Sequence, residues 1–126
     1  EQNKEFGGLG PPELTSGISL DMPMESRLAE NTTIGVVATN VTLTKSEARR
    51  VAIMAHDGLA RAIRPVHTPF DGDSIFALST EKKELSGARP MGVARIGAMA
   101  SDCVARSIAR AVYNATSLGG IPGYLS

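Results

Sequence analysis

The run Thr33-Ile34-Gly35-Val36-Val37-Ala38-Thr39 constrains the fold more than any other stretch of this chain. It is apolar on both alternating faces and rich in β-branched residues, the pattern of a central strand buried on both sides. Gly35 within it implies that another backbone or a ligand passes close by. Shortly after comes Thr44-Lys45-Ser46-Glu47, a capping box. The Thr44 hydroxyl and the Glu47 carboxylate can satisfy free N–H groups at a helix start. The helix is expected to run to about Ile63, with Ala48, Ala52, Ala55, Leu59 and Ile63 as its apolar stripe. Arg50, Asp57, Arg61 and Arg64 fall on the other side, and Pro65 ends it.

His67 to Asp73 reads as a loop and Ser74 to Thr80 as a second apolar strand, followed by a charged turn, Glu81-Lys82-Lys83-Glu84. A second helix is expected from about Pro90 to Thr116. Asp102 and Arg106 are spaced for an i,i+4 pair on it. Gly92, Ala94, Gly97, Ala98 and Ser101 thin one face so that a neighbour can approach. Gly119-Gly120-Ile121-Pro122-Gly123 is loop. The order strand, helix, strand, helix gives an α/β class, with parallel strands joined by a crossover as the default. Residues before Asn31 make a poor core. Gly7-Gly8-Leu9-Gly10-Pro11-Pro12 interrupts any regular element, and an irregular, exposed segment is expected up to Asn31.

The chain has 126 residues, enough for one domain with a core. Its 13 basic and 13 acidic residues cancel, so no basic face points to nucleic acid. No apolar run is long enough for a membrane span. No signal peptide is visible, and a cytoplasmic location is favoured while the compartment stays open. Cys103 is the only cysteine. It supports no internal disulfide or cysteine metal site and reads as a small buried apolar residue. The Asn-x-Thr triplets at Asn31, Asn40 and Asn114 read as chance matches to a glycosylation acceptor.

The dipeptide Asn31–Thr32 stands where an exposed segment meets a buried strand. Cleavage of that bond would give Thr32 a free α-amine beside its own hydroxyl, a nucleophile and a base on one residue. The plain alternative is that Thr32 and Thr33 are strand-opening threonines. Asp71 and Asp73, in His67-Thr68-Pro69-Phe70-Asp71-Gly72-Asp73, could place carboxylates near that amine, holding it and relaying a proton. Two carboxylates so close should repel and raise one pKa unless a cation intervenes. Asp-Gly is equally a turn signal. His56 and His67 lack a third ligand at metal spacing, and no Gly-x-Ser-x-Gly elbow occurs. His67 is therefore expected to organise the loop by hydrogen bonds, and His56 to sit at the edge of the core. Arg61 and Arg64 either pair with the aspartates or form a solvated helix end. Asn40 either lines the site or serves a turn.

The stretches Asn31 to Thr39, His56-Asp57-Gly58-Leu59-Ala60-Arg61-Ala62-Ile63-Arg64-Pro65 and His67 to Ala77 resemble the L-aminopeptidase/D-esterase family. That family includes the β-peptidyl aminopeptidases and, more distantly, the nylon-oligomer hydrolases. The resemblance runs from about Asn31 to the C-terminus. It implies a precursor that cuts itself into a large and a small subunit. Residues 1–31 would be the tail of the large subunit or a pro-segment, and residues 32–126 the small subunit. The implied fold is a helix–sheet–sheet–helix sandwich completed by the large subunit, with pairing into higher oligomers. The implied site is Thr32 as nucleophile and base, with Asp71 and Asp73 orienting it and shuttling protons. The β-peptidyl members carry Ser and Glu at these two positions, so the Asp pair more closely resembles the nylon-oligomer branch.

The expected activity is hydrolysis of short peptides or peptide-like amides through an acyl-enzyme on Thr32, after self-cleavage at Asn31–Thr32, without metal or organic cofactor. The alternatives are acyl transfer of the ornithine acetyltransferase type, with an amine acceptor in place of water, and a catalytically silent uncut module. Expected partners are the large subunit, further copies of the pair and the substrate, with neither nucleic acid nor membrane.

Overall fold

A computed structural model of the chain describes residues 4–8 and 32–125. Four elements follow one another: β1 (Ile34–Val41), α1 (Lys45–Ala62), β2 (Ser74–Lys83) and α2 (Arg89–Asn114). The strands pair in parallel, Ile34 opposite Ser74, Val36 opposite Phe76 and Ala38 opposite Leu78. Both helices contact the sheet, and they contact each other most extensively.

Local chemistry sets these elements. The Thr44 hydroxyl accepts the Glu47 N–H at 3.3 Å, and a Glu47 carboxylate oxygen accepts the Thr44 N–H at 2.8 Å. This is the expected reciprocal cap, and it starts α1 at Lys45. Arg89 reaches across from the first turn of α2 and gives Glu47 two hydrogen bonds, at 2.9 and 2.7 Å. The two helix starts are therefore clamped together. Arg89 first, and then Thr44, hold the Glu47 carboxyl down at about 2.

The core lies between the helices and one face of the sheet. Val51, Ala55 and Leu59 of α1 meet Ile75 of β2 and Val93, Ala100 and Val104 of α2. Val51, absent from the expected stripe, is deeply buried, while Ala48 and Ala52 only border the core. Gly58 explains the close approach of the helices. A Cβ there would fall on the Ser101 carbonyl oxygen and within 2.7 Å of Val104 Cβ. Gly97 is likewise buried, with Met54 directly over it. Ala94 and Ala98, expected on the thin face, are exposed.

Several expectations are corrected. β1 is buried on one side only: Ile34 is 68% exposed and Val36 66%, and beside them Phe76 is 60% exposed. The β-branched run suits two covered faces, and among the described residues only one is covered. The first three residues of the expected turn at 81–84 in fact end β2, which runs through Lys83. A bulge in β2, where residues 80–82 stand opposite Asn40 alone and Glu81 takes φ 54°, carries the pairing on to Val41–Lys83. Asp102 pairs with Arg61 of α1, and Arg106 with Glu5, so the i,i+4 pair is replaced by tertiary partners. Cys103 is exposed, because α2 turns that position away from α1. The described part of the N-terminal segment, residues 4–8, is a turn whose Phe6 ring meets Tyr113 edge-on at 5.3 Å. The rest of that segment, including Asn31, lies outside the described residues. Among the described residues no helix is long and apolar enough to cross a membrane.

Candidate functional site

β1 and β2 are parallel, so their first residues, Ile34 and Ser74, lie side by side at one edge of the sheet. The segments leading into both strands therefore meet there: Thr32-Thr33 and the loop from Ile63 to Asp73. The loop is fastened to Thr33 on both sides of that residue's backbone. Asp73 Oδ1 accepts the Thr33 N–H at 2.9 Å, and the Ser74 N–H donates to the Thr33 carbonyl at 2.9 Å.

Thr32 is exposed just ahead of the strand. Its side chain lies over Gly72, where a Cβ would stand 2.8 Å from Thr32 Oγ1 and 3.4 Å from Cγ2. The hydroxyl thus rests on the bare backbone between the two aspartates. In the sequence Gly72 reads only as part of a turn. Its neighbours in Asp-Gly-Asp were the available hint, since glycine admits a close approach that any side chain would block.

Asp73 is the more committed carboxylate. Its side chain is 5% exposed, and its second oxygen faces His67, with Nδ1 at 2.8 Å and the His67 backbone N–H at 3.3 Å. The Thr33 N–H, more than any other group, lowers the Asp73 carboxyl below its ordinary value, with His67 adding to it against the opposing effect of burial. The expected repulsion was to raise one of the two aspartates; Asp73 is instead lowered, because donors surround it. Asp71 closes its own turn. It accepts the Thr68 N–H at 2.6 Å and returns its N–H to the Thr68 carbonyl at 3.0 Å. Its other carboxylate oxygen has no partner among the described residues.

Thr32, Thr33, Asp71 and Asp73 line one cleft of about 330 Å³. Its apolar wall is Ile63, Pro65, Val66 and Phe70. Nothing in the local sequence marks those four as site residues. A group entering the cleft meets hydroxyls, carboxylates and hydrocarbon together. That suits a short chain carrying a polar reacting bond.

His67 does organise the loop, as expected, and its backbone adopts φ 56° to do so. Left-handed geometry is uncommon outside glycine, although His, Asn and Asp adopt it more readily than most. Its ring also lies against His56 of α1, with centroids 5.1 Å apart. Arg61 is drawn to Asp102 on α2 and pairs with neither loop aspartate. Arg64 is exposed, as is Asn40 on β1.

A protein of Mycobacterium tuberculosis (strain ATCC 25618 / H37Rv) named as an uncharacterized aminopeptidase is 48% identical over 132 residues, covering 95% of this chain and 38% of its own. A protein of the same description from Mycobacterium leprae (strain TN) is 44% identical over 123 residues, covering 90% of this chain and 33% of its own. The 6-aminohexanoate-oligomer endohydrolase of Paenarthrobacter ureafaciens is 35% identical over 81 residues, covering 59% of this chain and 23% of its own. This chain therefore spans between a third and two fifths of the mycobacterial relatives' length. The profile of peptidase family S58 matches residues 3–125, nearly the whole sequence, and the chain belongs to peptidase family S58.

Proposed function

We propose that this chain is the nucleophile-bearing part of a self-processing amide hydrolase, with Thr32 as its reactive residue. The observation that carries the reading is the seating of the Thr32 hydroxyl on Gly72, in the cleft it shares with Asp71 and Asp73. In maturation, the Thr32 hydroxyl adds to the Asn31 carbonyl carbon. The Thr32 nitrogen leaves as an amine, taking up the hydroxyl's proton, and an ester remains. Water then hydrolyses the ester, releasing the Asn31 carboxylate and a free Thr32.

The new α-amine has an ordinary pKa of roughly 7.7–8.0, so a fraction is neutral near pH 7. It accepts the hydroxyl proton as Thr32 attacks a substrate amide, and returns that proton to the departing amine. The acyl group stays on Thr32 until water removes it. Asp71, with an oxygen unpartnered among the described residues, receives the ammonium or relays its proton. Asp73 holds the peptide between Thr32 and Thr33 through the Thr33 N–H.

Substrates in this reading are short peptides or peptide-like amides. The names of the mycobacterial relatives and of the oligomer endohydrolase support that class. The apolar sheet face of Ile34, Val36, Phe76 and Leu78 supports a second sheet, from a large subunit, closing the sandwich. Oxyanion donors would come largely from that subunit.

Intact-mass measurement on the chain produced together with its upstream large subunit tests the reading. A fragment beginning at Thr32 and release of free acid without an amine acceptor are expected; Thr32→Ala should abolish both. Continued processing in that variant would remove the mechanism. A strict need for an amine acceptor would make the enzyme an acyltransferase.

A further inference from the structure

The proposed mechanism leaves His67 unused, yet it is the group most closely bound to the site's buried carboxylate. Its Nδ1 and its backbone N–H both address one oxygen of Asp73, and the other oxygen holds the Thr33 N–H. Both Asp73 oxygens are therefore occupied by donors. Rotation of that carboxyl toward Thr32 would break a bond to His67, to Thr33 or to both.

We propose that His67 is a positioning residue which, through Asp73, fixes the peptide joining Thr32 to Thr33 and so aims the Thr32 hydroxyl into the cleft. The role rests on the Thr32 reading given above. The chain of contacts is continuous. His56 on α1 backs the His67 ring, Nδ1 of His67 meets Asp73, and Asp73 meets the amide that follows the nucleophile. His56 and Asp73 are the titratable groups in contact with the His67 ring among the described residues.

For Nδ1 to meet a carboxylate it must carry hydrogen. The neutral ring is then the Nδ1–H tautomer, with Nε2 free to accept. This division gives the two aspartates different work. Asp73 is locked as a strut, and Asp71 remains the carboxylate able to meet an amine or a substrate in the cleft. His67 is also the loop residue whose left-handed backbone turns its own N–H and its ring toward the same oxygen. The backbone geometry and the side-chain bond thus serve one contact.

The test compares substitutions that differ in where they place a donor. In His67→Asn the amide nitrogen sits close to the position of Nδ1, and asparagine accepts left-handed backbone. In His67→Gln the nitrogen sits near the Nε2 position, away from Asp73. In the chain assembled with its large subunit and assayed on short amides, His67→Asn should keep kcat within a few-fold. His67→Gln and His67→Ala should lose about 10–100-fold in kcat with KM little changed. Wild-type kcat in His67→Gln, or a loss in His67→Asn as deep as in His67→Ala, would overturn the role. Should His67→Ala fail to fold, the Asn and Gln variants still decide.

Nitrogen chemical shifts of the labelled wild-type imidazole give a readout independent of turnover. Hydrogen on Nδ1 at neutral pH is expected, and a neutral ring protonated only at Nε2 overturns the proposal. An inactive wild type that still shows the Nδ1–H ring would refute the hydrolase reading while leaving the His67–Asp73–Thr33 strut in place.

Discussion

Asp73 Oδ1 takes the backbone N–H of Thr33 at 2.9 Å across forty residues of sequence. This bond makes the loop before β2 and the segment before β1 a single rigid corner. Everything proposed for Thr32 depends on that corner, because Thr32 is its first residue and stands in solvent.

Asp73→Asn should be damaging although it is nearly isosteric. Both carboxylate oxygens face donors, so an amide must turn its NH2 against either the Thr33 N–H or His67. A stability loss of about 1–3 kcal/mol is expected, with turnover down about 100-fold. Urea denaturation and steady-state kinetics on one preparation check both. Unchanged rates would reduce the Asp-Gly-Asp run to a turn.

Gly72→Ala should separate function from folding. The added methyl meets the Thr32 hydroxyl, 2.8 Å from the Cβ position. Thr32 lies outside β1 and can be displaced at little cost to the core. Turnover should drop by about 100-fold, while the melting temperature stays within a few degrees. Full activity would mean that Thr32 works from some other placement.

Phe76→Glu tests the uncovered sheet face. Phe76 is 60% exposed and lies opposite Val36, so the fold of this chain should tolerate a charge there, as circular dichroism would show. Assembly with the large subunit should fail, since an unpaired carboxylate would then be buried. Co-elution of the variant with that subunit would exclude this face as the interface.

The Glu47–Arg89 clamp predicts an acid-sensitive contribution to stability. The Glu47 carboxyl is lowered in the folded chain from 4.5 to about 2. Its contribution is therefore complete above 4.5 and disappears as pH falls toward about 2. Urea midpoints followed from neutral pH into that window should fall more steeply for the wild-type chain than for Glu47→Gln. Parallel curves would show that the clamp carries no linkage.

The capping box and the end of α1 near Pro65 were legible because neighbouring residues decide them. Hydrogen-bond donors three residues apart and side-chain periodicity are local facts. The same locality misled at α2, where i,i+4 spacing paired Asp102 with Arg106. The folded chain instead brings Arg61 and Glu5 to them. It misled again at Cys103, whose burial depends on which way the helix is turned.

The sequence by itself determined which residues could do chemistry: a threonine at the mouth of an apolar strand, and an Asp-Gly-Asp loop after a capped helix. Only the tertiary structure decided that they meet, and how the aspartates differ. Parallel pairing sets the starts of β1 and β2 side by side, which no local pattern encodes. A carboxylate's role then follows from how many of its oxygens are already engaged. Asp73 spends both on Thr33 and His67, and Asp71 spends one on Thr68.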